Sequence, residues 1–171
     1  MLPTIDRILY CTQLGPNSAY VFRYAYAIAK KFGAEITVLH VLDTLSPRQK
    51  ALVEGYSGKG SLGNVITEAE KQAAARIPQR IEEWCHREFG HENWKKIVTE
   101  IIVAEGHNAE QILAHIESCD ADLVVVGAHA ESSLLEKVIG GTARTLIKKS
   151  PVPVLTVQVP EGHQELTMTE L

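Results

Sequence analysis

Cysteine is scarce: Cys11, Cys85 and Cys119 are the only three in 171 residues. An odd number with no CxxC spacing weighs against a disulfide framework and favours reduced thiols in a cytoplasmic setting. Long apolar runs are missing as well. No stretch approaches the roughly 20 residues that span a bilayer. The start, Met1-Leu-Pro-Thr-Ile-Asp-Arg7, lacks the basic region and apolar core of a secretion signal, so no membrane partner is expected. Positive charge is not in excess either. The net charge of −4 argues against nucleic acid as the main partner. What remains, 45% hydrophobic and 22% charged residues, describes a soluble globular chain of single-domain length.

The stretch from Asp122 to Val159 organises the chain. Asp122-Leu-Val-Val-Val-Gly127 is a short apolar run ending in glycine, as a buried parallel strand does where it hands over to a loop. The loop Ala128-His-Ala-Glu-Ser-Ser133 follows, and then a helical run opened by Gly140-Gly141-Thr142. A glycine pair before a helix leaves backbone N–H groups exposed at the helix start, which suits a phosphate. Pro151-Val-Pro-Val-Leu-Thr-Val157 closes the stretch as another strand.

Upstream, the first strand ends at Cys11-Thr12 before a loop-forming Gln13-Leu-Gly-Pro-Asn17. Asn17 or Ser18 is placed to cap a helix through Phe32, with Tyr20, Tyr24, Ala27 and Ile28 spaced for one buried face. Gly33 is positioned as its left-handed cap. The second strand is Glu35-Ile-Thr-Val-Leu-His-Val-Leu42, which completes a right-handed βαβ unit. Asp43 to Asn64, with Gly55, Gly58, Gly60 and Gly63, reads as a long surface insertion. Val65 to Phe89 is helical, kinked or split at Pro78, with Ile81 and Trp84 facing the sheet. Ile97 to Val103 is the third strand. Asn108 caps a helix to about Ser118 whose stripe is Ile112, Leu113 and Ile116. Ala121 to Gly127 is strand four, Thr142 to Lys149 lies in the last helix, and Val152 to Val159 is strand five. The fold expected is α/β, a five-stranded parallel doubly wound sheet with helices on both faces. It forms one domain over residues 1–160, and 161–171 is a polar tail.

Three blocks carry a family likeness: Ile8-Leu-Tyr-Cys-Thr-Gln-Leu-Gly15; Gly106-His-Asn-Ala-Glu-Gln-Ile-Leu113 with Ala121-Asp-Leu-Val-Val-Val-Gly127; and Gly140-Gly-Thr-Ala-Arg144 with Lys149-Ser-Pro-Val-Pro-Val-Leu155. On these, the chain resembles the universal stress protein family from Ile8 to Val157. The resemblance implies a Rossmann-like three-layer fold and, in members that bind ATP, a phosphate loop of the form G-x2-G-x9-G-[S/T]. Gly127 matches its first glycine and Gly140 its third, whereas Ala130 and Gly141 stand where a glycine and a hydroxyl residue are usual. Gln13 replaces an acidic residue common at the end of the first strand. The nucleotide-binding residues so implied are Thr12, Gln13, Val41, Val126, Gly127, His129, Ala130, Gly140, Gly141 and Thr142. The ligand implied is ATP, with Mg²⁺.

An alanine forced into a left-handed backbone at position 130 costs about 1–2 kcal/mol. A hydroxyl missing at Gly141 costs about 0.5–1.5 kcal/mol. Together these departures weaken affinity by about 10- to 100-fold.

Two readings follow: a cytoplasmic homodimer binding ATP as a regulatory ligand without catalysis, or a dimeric interaction module whose phosphate loop is degenerate. A slow ATPase, with Glu131 near the glycines, is a third. The dimer is expected through Val152 to Val159, since an apolar edge strand needs covering and the family commonly pairs there.

The remaining polar residues read as structural. His40 is expected as a hydrogen-bonded residue at the core's edge. His86 and His91 near Cys85 do not fit zinc spacing. Glu82-Glu83 is a solvated face, and Cys11 is a small buried hydrophobe. No Ser-His-Asp or Cys-His order points to catalysis.

Overall fold

A computed structural model describes residues 2–15, 17–43, 71–90, 93–128 and 140–160. The elements are β1 (Arg7–Thr12), α1 (Ser18–Phe32), β2 (Glu35–Asp43), α2 (Ile77–Phe89), β3 (Val98–Gly106), α3 (Asn108–Ser118), β4 (Leu123–Ala128), α4 (Gly141–Lys149) and β5 (Val154–Gln158), with a short 3-10 turn at Trp94–Lys96. All neighbouring strands pair parallel, in the order β3-β2-β1-β4-β5. The doubly wound parallel sheet expected from the sequence is therefore the fold observed.

Period-two alternation along buried strands divides the core in two. Ile8, Tyr10, Ile36, Val38 and Val125 face one side, where they meet Phe22 of α1 and Ile81 and Trp84 of α2. Leu9, Leu39, Val41, Val124 and Val126 face the other, against Ile112 and Ile116 of α3 and Leu146 of α4. Adjacent residues on a strand point to opposite faces, so strands buried on both sides read as continuous apolar runs.

The helix ends follow local chemistry. Gly33 adopts φ 73° and its N–H bonds Ala29 O, while Ala34 N–H also reaches Ala29 O at 2.9 Å. These bonds satisfy carbonyls that the last turn would leave open. Pro78 sits in the first turn of α2, after a break at Arg76 that separates α2 from helical residues 71–75. Its missing N–H is harmless at that position, so the expected split is found. At β5, Val124 N–H bonds Pro153 O at 3.0 Å, so the proline joins the ladder through its carbonyl alone.

Some boundaries and one face differ from expectation. Asn108 is the first residue of α3 and His107 holds the cap position, with no side-chain cap bond. Strand β5 is shorter than Val152 to Val159, because Pro151 and Pro153 stand outside it. The fully buried face of α1 is Ala19, Val21, Phe22, Ala25, Tyr26 and Ala29; of the expected face, Tyr20 and Ile28 pack partly buried against that core, while Tyr24 and Ala27 are exposed. The helix is apolar almost all round, so periodicity offered two faces, and the large rings of Phe22 and Tyr26 won the sheet. The 44–64 part of the expected insertion, His91 and the tail 161–171 lie outside the described residues.

Candidate functional site at the carboxyl edge of the sheet

The strand order reverses direction of growth between β1 and β4. In an open α/β sheet that point leaves a crevice outside the carboxyl ends of the strands, since the connections leave it in opposite directions. Register decides which residues reach it. Thr12 stands opposite His40 on β2, and Cys11 stands opposite both Leu39 and Val126. One residue further along, Gln13, Val41 and Gly127 come to the same edge. Thr12 and Val41 are buried there, while Gln13 is exposed.

The end of β1 is held from two directions. His40 Nδ1 lies 2.9 Å from Thr12 O, and the Thr12 hydroxyl accepts the Leu14 N–H at 3.0 Å. That second bond is a short hydroxyl turn, and Leu14 at its end takes φ 57°. Gln13 lies between these anchors on a preset backbone. The buried, hydrogen-bonded His40 matches its sequence reading. The Thr12–Leu14 turn was not anticipated, though a Thr at a strand end followed by a loop is the signal for one.

Gly127 belongs to β4, and a Cβ there would lie 3.4 Å from Val21 Cγ2, an ordinary contact. Packing on α1 would thus admit alanine at position 127. Gly140 caps α4 with φ −55° and ψ 154°, and its carbonyl takes the first helical bond from Arg144 N–H. A Cβ on Gly141 would meet no atom within 4 Å. Neither glycine has positive φ, so backbone strain does not account for them. The first-turn N–H groups of α4 have no carbonyl to bond within the helix and carry its positive end. Of the residues implied by the sequence, Thr12, Gln13, Val41, Val126 and Gly127 are strand-end neighbours, and Gly140, Gly141 and Thr142 open the helix that follows β4. His129 and Ala130 lie outside the described residues.

Two of the thiols, Cys85 and Cys11, are quiet. Burial, with Glu82 near it, pushes the Cys85 thiol up to about 12, and burial also holds Cys11 above its usual range. Neutral thiols of this kind are poor nucleophiles. Among the described residues, no group of three or more His, Cys, Asp or Glu is placed to hold a metal, and no helix is long and apolar enough to cross a membrane.

A doubly wound parallel sheet with a crevice at its switch point defines a Rossmann-like α/β architecture. The sequence profile of the universal stress protein family matches residues 4–158, and the chain belongs to that family. Universal stress protein MJ0531 from Methanocaldococcus jannaschii is 30% identical over 142 residues, covering 81% of this chain and 74% of the relative. The stress response protein NhaX of Bacillus subtilis is 26% identical over 162 residues, 90% of this chain and 98% of its own. Among solved structures, protein MJ0577 superposes with a TM-score of 0.62 at 24% identity, over 94% of this chain and all of that one. A universal stress protein in complex with cAMP gives 0.52 at 16% identity, over 91% and 98%. At those identities the structures establish the fold.

Proposed function

We propose that this protein is a regulatory, non-catalytic member of the family that binds an adenine nucleotide, ATP, in the carboxyl-edge crevice. It acts in the cytoplasm as a homodimer paired through β5, with one domain over residues 1–160. The observation that carries the reading is the register that brings Thr12, Gln13, Val41, Val126 and Gly127 to one edge at the switch point. A solved relative in complex with cAMP supports an adenine ligand for this architecture.

The residues divide the ligand between them. Backbone groups of Thr12 and Val41 border the base, and the Gln13 amide donates to or accepts from a ribose hydroxyl without charge assistance. The N–H groups of Gly141 and Thr142 meet a phosphate, favoured by the helix dipole. Mg²⁺ bound with the phosphates would neutralise part of their charge. Hydrolysis is not part of the proposal; Glu131, the acid near these glycines in sequence, lies outside the described residues.

Equilibrium dialysis of the purified protein against millimolar ATP tests the reading. Saturable binding at one site per chain is expected. No binding at that concentration overturns it and leaves the dimeric interaction module. Phosphate release that is abolished by Gly127→Val would restore an enzymatic role.

A further inference from the structure

Strand β1 runs out of partners where the crevice begins. Its register with β2 ends at Thr12, opposite His40, and its register with β4 ends at Cys11, opposite Val126. A parallel ladder fixes backbone direction through repeated bonds. Beyond the ladder's end, side chains must direct the chain, and Gln13 is the next residue.

His40 is the only buried polar residue among the described side chains of β2. Burying an imidazole costs free energy unless its nitrogen finds a partner. Nδ1 has one in Thr12 O, at 2.9 Å. A carbonyl oxygen only accepts, so Nδ1 carries the hydrogen, and the bond assigns the tautomer. Strand parity makes the contact possible. His40 continues the row of Ile36 and Val38, and Thr12 continues that of Ile8 and Tyr10, all toward α1 and α2.

The loop after Thr12 is tied from its far side as well. Thr12 Oγ1 accepts the Leu14 N–H at 3.0 Å, Tyr10 Oη donates to Ser18 O at 2.8 Å, and Ser18 N–H bonds Gly15 O at 3.1 Å. Gln13 is the exposed residue inside this frame. Of these bonds, only that from His40 grips the peptide joining Thr12 to Gln13. It comes from β2, one residue before Val41, so it also sets Gln13 relative to that strand end.

We propose that His40 is a positioning residue of the crevice. Its Nδ1–H holds the Thr12–Gln13 peptide in the orientation that presents the Gln13 amide to a ribose hydroxyl. The inference rests on the nucleotide reading of this crevice and adds to it a residue that touches no ligand. A preset backbone spares the ligand the ordering of Gln13, and the affinity gain arises there.

Equilibrium dialysis of the full chain against ATP tests this, with melting followed in parallel by circular dichroism. His40→Gln moves the donor one bond farther from the backbone and should weaken ATP binding by about 3- to 10-fold. His40→Asn keeps a donor at the δ position and should bind within about 2-fold of the wild type. Both variants should melt lower, since each leaves part of the ring's volume unfilled. In a Gln13→Ala background, His40→Gln should cost no further affinity, because its effect passes through Gln13. Equal losses from the Gln and Asn variants, or an undiminished loss in the Gln13→Ala background, overturn the positioning role. Long-range proton–nitrogen spectra of the wild type need no variant and should place the His40 hydrogen on Nδ1; a hydrogen on Nε2 alone overturns the bond. Wild-type protein that binds no ATP at millimolar concentration removes the nucleotide reading and this role with it. Wild-type binding that neither His40 variant alters removes the role alone.

Discussion

Gly141 opens α4 without a side chain, and a Cβ there meets open space. Its backbone is helical, so a serine fits without strain, and serine has a better helix propensity than glycine by about 0.5 kcal/mol. Gly141→Ser should therefore fold at least as stably and add a hydroxyl beside the phosphate position. One net hydrogen bond is worth about 0.5–1.5 kcal/mol, or roughly a 2- to 10-fold gain in ATP affinity by calorimetry. Equal or weaker binding would mean that α4 does not meet the phosphates.

The buried Cys85 makes a second residue-scale prediction. Its thiol is pushed up to about 12 in the fold from an ordinary 9.0. A raised value means that the folded state holds the proton more tightly than the unfolded chain. The stabilisation is complete below pH 9 and is lost as pH rises toward 12, at about 1.4 kcal/mol per pH unit for one thiol. Urea midpoints should fall between pH 8.5 and roughly 10.5, and Cys85→Ala should flatten the decline.

At the scale of elements, the ring cluster between α1 and α2 fastens one helical layer to the sheet. Phe22 is fully buried and lies 5.0 Å from Tyr10 of β1 and 5.4 Å from Trp84 of α2, ring centre to ring centre. It thus ties strand, helix and helix through a single side chain. Phe22→Ala should cost about 3–5 kcal/mol, read as a lower urea midpoint with little change in slope. Pro78 marked the split ahead of α2 in the sequence because proline chemistry is local, whereas Asn17 holds the cap position of α1 without a side-chain cap bond. The choice between the two stripes of α1 was not local. It depended on Trp84 and Phe89, more than 60 residues away, filling the space beside Phe22 and Tyr26.

Across the whole molecule, the two ends of the sheet have separate duties. At the amino edge, Asp122 Oδ2 accepts the N–H groups of Asp6 and Arg7, both at 2.9 Å, and joins the starts of β1 and β4. Arg7 also reaches Asp120 at 2.8 Å, an exposed pair of small energetic weight. The candidate nucleotide crevice lies at the opposite, carboxyl edge. Asp122→Ala should lower the melting temperature, by the equivalent of about 1–3 kcal/mol for two backbone donors losing their acceptor. It should leave ATP affinity by equilibrium dialysis unchanged. A parallel loss of affinity would place the binding region elsewhere or make it depend on the strand starts.

The order of elements, the parallel sheet, the left-handed Gly33 and the helix-opening glycines were legible in the chain itself. Each depends on residues close in sequence: apolar runs bounded by turns, a missing Cβ, a missing N–H. Family membership was legible for the same reason, since its motifs are short and contiguous. The tertiary structure alone decided which strands neighbour one another, and so which distant residues share the crevice. It set Thr12 opposite His40, anchored Gln13 between two bonds, and left Tyr24 and Phe32 of α1 exposed. Periodicity reports how apolar a face is. What that face meets is settled by elements from elsewhere in the chain competing for the same surface.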